Sequence, residues 1–229
     1  LYRAKRGRTD EAITALRRAV VLAPGYDDAR QQLAALGDVG DPLPPARRPK
    51  SAQVPSRTYG ERFEIRWRGS WRPFYVKGIN LGAARPGKFP AEFPTDDSTY
   101  TSWLRLMAAA HANAVRLYTI LPPAFYRAFK TWNDAHPDQA LWLVHGVWAE
   151  LPPQDDYDEP GWKSEFHTEM RRVVDVLHGH AVIPARLGHA FGRYTVDVSD
   201  HALAFIIGRE WEPFTIRHYN ELRPTQTRF

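Results

Sequence analysis

The chain has 229 residues, of which 43% are hydrophobic and 25% are charged, a composition typical of a globular protein with one large core or two small domains. Its 8 Trp, 10 Tyr and 11 Phe exclude intrinsic disorder, and the absence of cysteine excludes disulfides, zinc ribbons and thiol catalysis. The net charge is +5, but residues 1–50 hold ten basic and six acidic residues, so the rest of the chain is nearly balanced. A nucleic-acid partner is therefore not expected, because such proteins concentrate positive charge along one working face.

No segment approaches the roughly 20 apolar residues that cross a bilayer, so no membrane segment is predicted. No basic segment followed by an apolar one lies near Leu1, so a signal peptide is not predicted either. The sequence does not determine the cellular compartment, and the cytoplasm is the default expectation. Because the chain does not begin with Met, we expect it to be a fragment of a longer protein.

Residues 1–36 are predicted to form two short helices. Asp10 is a suitable N-cap, apolar residues recur at three- and four-residue spacing after it, and Pro24-Gly25 ends the first helix. The segment GRTDEAITALRRAVVLAP resembles a tetratricopeptide repeat at its small-residue and terminal-proline positions, which are Gly7, Ala12, Ala19 and Pro24. The resemblance implies further repeats upstream and a protein partner that docks on them. The alternative is an isolated amphipathic helical hairpin.

Residues 37–57 are rich in proline and arginine and predict a semi-rigid linker. Residues 58–229 then alternate strands and helices. Phe63, Ile65 and Trp67 predict a strand that pairs with 72–75 as a hairpin. Later strands are predicted at 74–81, 113–118, 140–147 and 204–208, and helices at 99–111, after Pro122-Pro123, and from Trp162 to Leu177.

Strands that are apolar on both faces and separated by single helices require a parallel sheet with helical cover. No glycine-rich phosphate loop follows the first of these strands, so a nucleotide-binding sheet is not favoured. In a (β/α)8 barrel the chemistry gathers at the carboxyl ends of the strands. Polar and aromatic residues cluster at these positions, namely Asn80, Arg116, Tyr118, His145, Trp148, Glu210 and Trp211. The predicted fold class is therefore α/β, with about the first four strands of a (β/α)8 barrel behind a short all-α hairpin.

The segments NAVRLY, LVHG and FIIGREWEP resemble the first half of a clan A glycoside hydrolase barrel, the group that includes family 2 β-glycosidases and β-glucan transglycosylases. Asn113 and Arg116 match its second-strand element. Gly208-Arg209-Glu210 stands where the group has Gly-Asn-Glu. The resemblance implies a retaining glycoside hydrolase or transglycosylase that acts on O-glycosidic bonds of an oligo- or polysaccharide, with Glu210 as general acid/base.

A chemical argument for Glu210 stands beside the resemblance. Glycoside cleavage needs one carboxylic acid that protonates the leaving oxygen and a second carboxylate across the sugar. Glu210 follows an apolar strand and precedes Trp211, so we expect burial that keeps it protonated. Glu212 is the competitor, since alternate residues of an extended strand share a face. A structural ion pair with Arg209 or Arg116 is the non-catalytic alternative.

The predicted substrate-binding residues are Arg116, Tyr118, His145, Trp148 and Trp211. Arg116 is expected to hold a carboxylate through paired hydrogen bonds, and the indoles are expected to pack against sugar rings. Each of these residues also has a purely structural alternative. The acidic stretch 155–159 predicts a solvated loop or an outer subsite. No cofactor is predicted, and no metal site, because the scattered histidines 178, 180 and 189 lack a carboxylate at matching spacing.

A complete barrel takes about 250 residues, whereas 58–229 supplies 172 residues and four predicted strands. The second carboxylate, expected at a seventh strand, is therefore missing from this chain. We expect the fragment by itself not to hydrolyse glycosides. The leading alternative is a non-catalytic carbohydrate-binding or scaffold barrel with protein-binding repeats, which the substitution of Arg209 for asparagine favours. A non-glycosidic barrel enzyme would need a strand-end lysine or a phosphate-binding loop, and neither is present.

Overall fold

A computed structural model describes residues 54–90 and 92–225, so the predicted tetratricopeptide-like helices and most of the predicted linker lie outside the described residues. The described strands are β1 (Ser56–Tyr59), β2 (Arg62–Trp67), β3 (Ser70–Phe74), β4 (Gly78–Leu81), β5 (Ala114–Leu117), β6 (Trp142–Val147), β7 (Ala181–Ile183), β8 (Gly192–Tyr194) and β9 (Ala202–Ile207). The helices are α1 (Asp97–Ala109), α2 (Pro123–Ala135), α3 (Pro160–Leu177) and α4 (Pro213–Leu222).

Strands β4, β5, β6 and β9 form a four-stranded parallel sheet in that order. The mixed α/β class and the parallel sheet are therefore confirmed. The described residues form an open sheet, with β4 and β9 at its two edges and no closed barrel among them. The register places Asn80, Arg116 and Val144 side by side on one face, and Leu81, Leu117 and His145 on the other.

The predicted hairpin is confirmed as β2 and β3, and β1 adds a third antiparallel strand to it. Two predicted boundaries are wrong. The linker was expected to reach residue 57, but β1 begins at Ser56. The strand expected over 74–81 begins only at Gly78, because Phe74 still pairs with Phe63 in the hairpin. The short antiparallel pair β7–β8 and the helix α4 were not predicted from the sequence.

Local chemistry fixes where the helices begin. The Asp96 carboxylate accepts a hydrogen bond from the Thr99 backbone N–H at 2.8 Å, which is an N-cap for α1. Glu159 caps α3 by accepting from the N–H groups of Gly161 and Trp162. Helices α2, α3 and α4 all start with proline, whose missing N–H has no partner in a first turn anyway. No helix in the described ranges combines the length and the apolar character that a membrane crossing needs.

The main core lies between the parallel sheet and its helices, where Leu104, Val115, Phe125 and Leu143 are completely buried. A smaller core lies at the amino ends of the parallel strands. There the buried residues Ile65, Ala114, Trp142 and Leu203 pack together with Phe74 of the antiparallel sheet. The Ser56 hydroxyl also donates to the carbonyl oxygens of Ala202 and Leu203, at 3.1 and 2.7 Å. The antiparallel sheet thus closes one end of the parallel sheet and leaves the carboxyl ends of the strands open.

Candidate functional site

A cleft of about 250 Å³ lies at the open carboxyl ends of β5, β6 and β9. We call it the strand-end cleft. It is lined by the strand-end residues Arg116, Tyr118, Gly146, Trp148, Gly208, Arg209, Glu210 and Glu212. Four of the six residues predicted for the site therefore meet in one place, because the carboxyl ends of parallel strands lie at the same edge of a sheet.

Arg116 enters the cleft from β5 and stacks on the next aromatic ring of the chain. Its guanidinium carbon lies 4.0 Å from the centroid of the Tyr118 ring, a cation–π distance. Its Nε is buried and has no hydrogen-bond partner, and no carboxylate of residues 54–90 or 92–225 forms an ion pair with it. The carboxylate that Arg116 was expected to hold is thus not found among the described residues.

Gly146 forms the floor between β5 and β6. A Cβ atom at this position would lie 2.4 Å from the carbonyl oxygen of Tyr118 and 2.7 Å from that of Leu117. Both are backbone atoms, which do not yield as a flexible side chain does. The two strand ends therefore approach this closely only because residue 146 has no side chain, and the approach brings Tyr118 and Trp148 to the same cleft.

The two candidate glutamates have different surroundings. Arg209 Nη2 lies 2.9 and 3.1 Å from the two carboxylate oxygens of Glu212, so Glu212 is held in an ion pair. Glu210 is exposed, and within the described part of the chain its carboxylate has no hydrogen bond or ion pair. The burial expected for Glu210 is therefore wrong. The ion-pair alternative applies to Glu212 and leaves Glu210 as the unpaired acid of the cleft.

Arg209 closes the cleft on the side of Trp148. Its guanidinium carbon lies 5.5 Å from the centroid of the Trp148 ring, while its Nη2 bonds Glu212. The Arg209 Nε is buried without a hydrogen-bond partner among the described residues. The residue that replaces the expected asparagine thus connects the indole to Glu212.

Trp211 does not line the strand-end cleft, so the structure does not bring it together with the other residues predicted to bind sugar. Its ring lies against Gly208, 2.9 Å from where a Cβ would stand, and Gly208 has a φ of +106° that favours glycine. The Trp211 ring centroid lies 5.1 Å from Tyr157, 6.2 Å from Trp162 and 6.3 Å from Phe166. Trp211 therefore packs in an aromatic cluster that supports the segment after β9.

His145 also lies outside the cleft, on the helix side of the sheet, so the structure does not bring it to the other predicted binding residues. It is 1% exposed, its Nε2 lies 2.8 Å from the Tyr126 hydroxyl, and its Nδ1 lies 2.8 Å from the Gly146 carbonyl oxygen. Because a carbonyl only accepts, Nδ1 carries the proton and Nε2 accepts from Tyr126. Burial lowers the pKa of His145 to about 4, and the ring is neutral at physiological pH.

The acidic stretch expected as a solvated loop or an outer subsite instead fastens α4. Asp155 lies 2.9 Å from His218 Nδ1, and Asp156 lies 2.5 Å from Arg223. Asp158 accepts from the Tyr219 hydroxyl at 2.6 Å, and this hydrogen bond raises the pKa of Tyr219 to about 12. The Tyr157 hydroxyl bonds Thr215 at 2.8 Å. The sequence did not predict α4, and therefore offered no partner for these carboxylates.

No group of three or more histidine, aspartate or glutamate side chains in the part of the chain that the structure describes is arranged to hold a metal ion. His178 lies 3.9 Å from Asp197, and the Nδ1 of His218 bonds Asp155, so these imidazoles have carboxylate neighbours of their own.

Comparison with known proteins adds no relative. No protein-family model matches the chain, and neither a curated protein nor a solved structure matches it.

Proposed function

We propose that the chain is part of a carbohydrate-active enzyme, a retaining glycoside hydrolase or transglycosylase that acts on O-glycosidic bonds, with Glu210 as its general acid/base. The observation that carries the proposal is the unpaired Glu210 carboxylate beside Arg116 and Trp148 in the strand-end cleft. We further propose that the tetratricopeptide-like segment, residues 1–36, binds a protein partner.

In the proposed reaction, Glu210 transfers one proton in each of two steps. As a carboxylic acid it donates to the leaving glycosidic oxygen, and as a carboxylate it then takes a proton from the incoming water or sugar hydroxyl. An unpaired carboxyl can make both transfers, whereas Glu212 is committed to Arg209. The other carboxylate among the described cleft residues is Glu212, which is paired with Arg209, so the proposal assigns the acid/base half of the site to this chain and the nucleophile to a residue outside it.

The cleft walls suit a sugar ring. Trp148 offers an indole whose neutral face packs against the C–H face of a pyranose. Arg116 is held at a fixed distance by Tyr118 and keeps N–H donors for sugar hydroxyls or for a carboxylate. A volume of about 250 Å³ has room for roughly one sugar ring and lies just below the usual range of small-molecule sites.

A basic sugar analogue tests the role of Glu210. An iminosugar carries a positive charge within its ring, at the position of the ring oxygen or the anomeric carbon, so a free carboxylate in the cleft strengthens its binding. We expect Glu210→Gln to weaken iminosugar binding to the 229-residue chain at least about tenfold by calorimetry. The matched control is Glu221→Gln, an exposed acid on α4 with the same change in charge. Glu212→Gln tests the competing acid.

Two results would overturn this role. Equal iminosugar affinity of Glu210→Gln and wild type would show that Glu210 does not face the ligand. A loss confined to Glu212→Gln would transfer the role to that residue. Absence of any iminosugar or neutral-oligosaccharide binding by the folded chain would remove the carbohydrate function altogether.

The second candidate function is a non-catalytic carbohydrate-binding or scaffold module. Two observations favour it, namely the exposure of Glu210 and the presence of Arg209 at the asparagine position. A scaffold binds neutral oligosaccharides through Trp148 and Arg116, and it is indifferent to the charge of Glu210. Neutral-sugar binding that falls in Trp148→Ala, together with iminosugar affinity unchanged in Glu210→Gln, would identify the scaffold.

A further inference from the structure

A second cavity lies at the opposite end of the parallel sheet from the strand-end cleft. It has a volume of about 700 Å³ and lies between β3, the carboxyl ends of α1 and α2, and the amino ends of β5 and β6. We call it the rear groove. Its size falls in the range of small-molecule sites.

The rear groove has an excess of positive charge. Its basic lining residues are Arg72, Lys77, Arg105, His111 and His136. One acid lines it among the described residues, Asp138, and this carboxylate lies 2.9 Å from Arg68. By contrast, Arg72, Lys77 and Arg105 have no ion-pair partner in 54–90 or 92–225. Three cations therefore share one concave surface without a carboxylate of their own.

The carboxyl ends of α1 and α2 favour nearby cations, but they account for only some of the basic residues in the groove. His136 caps α2, and its Nδ1 lies 3.0 Å from the Trp132 carbonyl oxygen, as expected of a polar group at a helix carboxyl end. Arg72 and Lys77 belong to β3 and to the segment after it, so no helix end accounts for them. The excess charge is a property of the groove as a whole.

The segment that carries Lys77 is fixed. The Asn113 side chain accepts a hydrogen bond from the Lys77 backbone N–H at 2.7 Å and donates one to the Tyr75 carbonyl oxygen at 2.8 Å. The Asn113 backbone N–H donates to the Lys77 carbonyl oxygen at 2.9 Å. Three hydrogen bonds therefore hold the backbone from which Lys77 extends, and Asn113 serves the rear groove rather than the cleft.

Aromatic rings line the groove beside the cations. Phe74 and Trp142 lie 5.8 Å apart at an angle of 56°, and Trp132 stacks on His136 at 3.9 Å. One face of Trp132 is thus covered, and the first pair is tilted, so the rings form no parallel slot for a planar base. Trp142 is 3% exposed and belongs to the smaller core, whereas Phe74 and Trp132 are partly exposed beside the cations. Partly exposed aromatic faces beside cationic groups suit the C–H faces of sugar rings that carry negative charges.

We propose that the rear groove binds an acidic saccharide, a short pyranose chain whose carboxylate or sulfate groups pair with Arg72, Lys77 and Arg105. The aromatic rings contact the sugar faces, and the guanidinium groups provide paired hydrogen bonds to the anions. The inference does not depend on catalysis in the strand-end cleft, since the two sites lie at opposite ends of the sheet.

Calorimetry on the 229-residue chain tests the proposal with five probes: a galacturonic acid tetramer, a sulfated disaccharide, a neutral cellulose tetramer, sodium sulfate and ATP. We expect at least one acidic saccharide to bind, at least about tenfold more tightly than the neutral tetramer or sulfate ion, with affinity that falls as salt is added. Whichever acidic probe binds identifies carboxylate or sulfate as the recognised group.

The double variant R72Q/R105Q locates the binding. We expect it to lose at least about tenfold in affinity, because two charge-assisted contacts disappear. The matched control R171Q/R217Q removes two exposed cations from α3 and α4 and should retain the wild-type affinity. Arg116→Gln, in the strand-end cleft, should also retain it.

Four results would overturn the proposal. They are no binding of either acidic saccharide, an equal loss of affinity in the R171Q/R217Q control, sulfate ion binding as tightly as the saccharides, and a nucleotide such as ATP binding more tightly than both. The two double variants replace exposed side chains and Arg116→Gln a partly buried one, so thermal unfolding followed by circular dichroism should confirm that each variant folds.

Discussion

Strands β6 and β9 are neighbours in register, yet the side chains on their helix-facing sides differ in exposure. His145 and Val147 of β6 are at most 2% exposed. Their partners in register on β9, Phe205 and Ile207, are 45% and 63% exposed. Residues paired in a parallel ladder point to the same side of the sheet, so the same face is covered over β6 and open over β9.

The cause is the position of the two strands in the sheet. Strand β6 is central and packs against α3, whereas β9 is an edge strand of the described parallel sheet, and β1 contacts it near its amino end. The strand-end cleft spans both regions, since Trp148 follows β6 and Glu210 follows β9. One wall of the site is thus anchored in the core, and the other depends on the aromatic cluster around Trp211 and on α4.

The largest effect is expected where β5 and β6 touch. Gly146→Ala places a methyl group against two backbone carbonyls that cannot yield, and we expect it to lower the free energy of unfolding by about 3 kcal/mol or more. Chemical denaturation measures the change. The control is Gly82→Ala, where nothing lies within 4 Å of the added atom, with an expected change below about 0.5 kcal/mol. Similar costs for both variants would contradict the close approach.

Truncation of one apolar residue on each strand comes next. Leu143→Ala opens a cavity at a fully buried position of β6 and should lower the free energy of unfolding by about 2–5 kcal/mol. Ile207→Ala on β9 should lower it by less than about 1 kcal/mol, because the side chain is mostly exposed. If denaturant curves show equal losses, the open face of β9 is covered in solution.

The smallest effect is the pH dependence that His145 of β6 contributes. His145 has a pKa of about 4 when folded and about 6.5 when unfolded, so the unfolded chain binds the proton first as the pH falls. Stability is complete above pH 6.5 and is lost as the pH falls toward 4, by about 2 kcal/mol at pH 5.

The variant His145→Gln isolates this contribution. Its free energy of unfolding should vary less between pH 7.5 and pH 5 than that of the wild type, by about 2 kcal/mol. Burial also lowers the pKa of His189 and His201, so both proteins keep a remaining dependence of the same sign. Identical pH profiles would show that His145 is not buried as a neutral ring.

The strongly patterned elements were predictable from the sequence. The parallel strands β5, β6 and β9 and the helices α1 to α3 each have a long apolar pattern, and each lies within a few residues of its predicted range. The pair β7–β8 was not predicted because each strand has only three residues, too few to reveal the two-residue alternation of a β-strand. Strand β1 escaped because its sequence continues a proline- and arginine-rich segment.

The site was predicted less well, for a physical reason that His145 illustrates. In a strand apolar on both faces, the sequence places a residue near the strand end but does not fix which side it points to. His145 and Gly146 differ by one position, and the structure turns Gly146 to the cleft and His145 to the core. Trp211 was misplaced similarly, because the turn at Gly208 sends it into the aromatic cluster.

The hydrogen bonds from the Ser56 hydroxyl to Ala202 and Leu203 join parts of the chain about 146 residues apart, and they have a kinetic consequence. Strand β1 pairs locally with β2, but its contact with β9 can form only once the last parallel strand is in place, so we expect this contact to form late in folding. Ser56→Ala should therefore accelerate unfolding and leave the refolding rate nearly unchanged in stopped-flow measurements. We therefore expect the contact between β1 and β9 to be the last to form during folding and the first to break during unfolding.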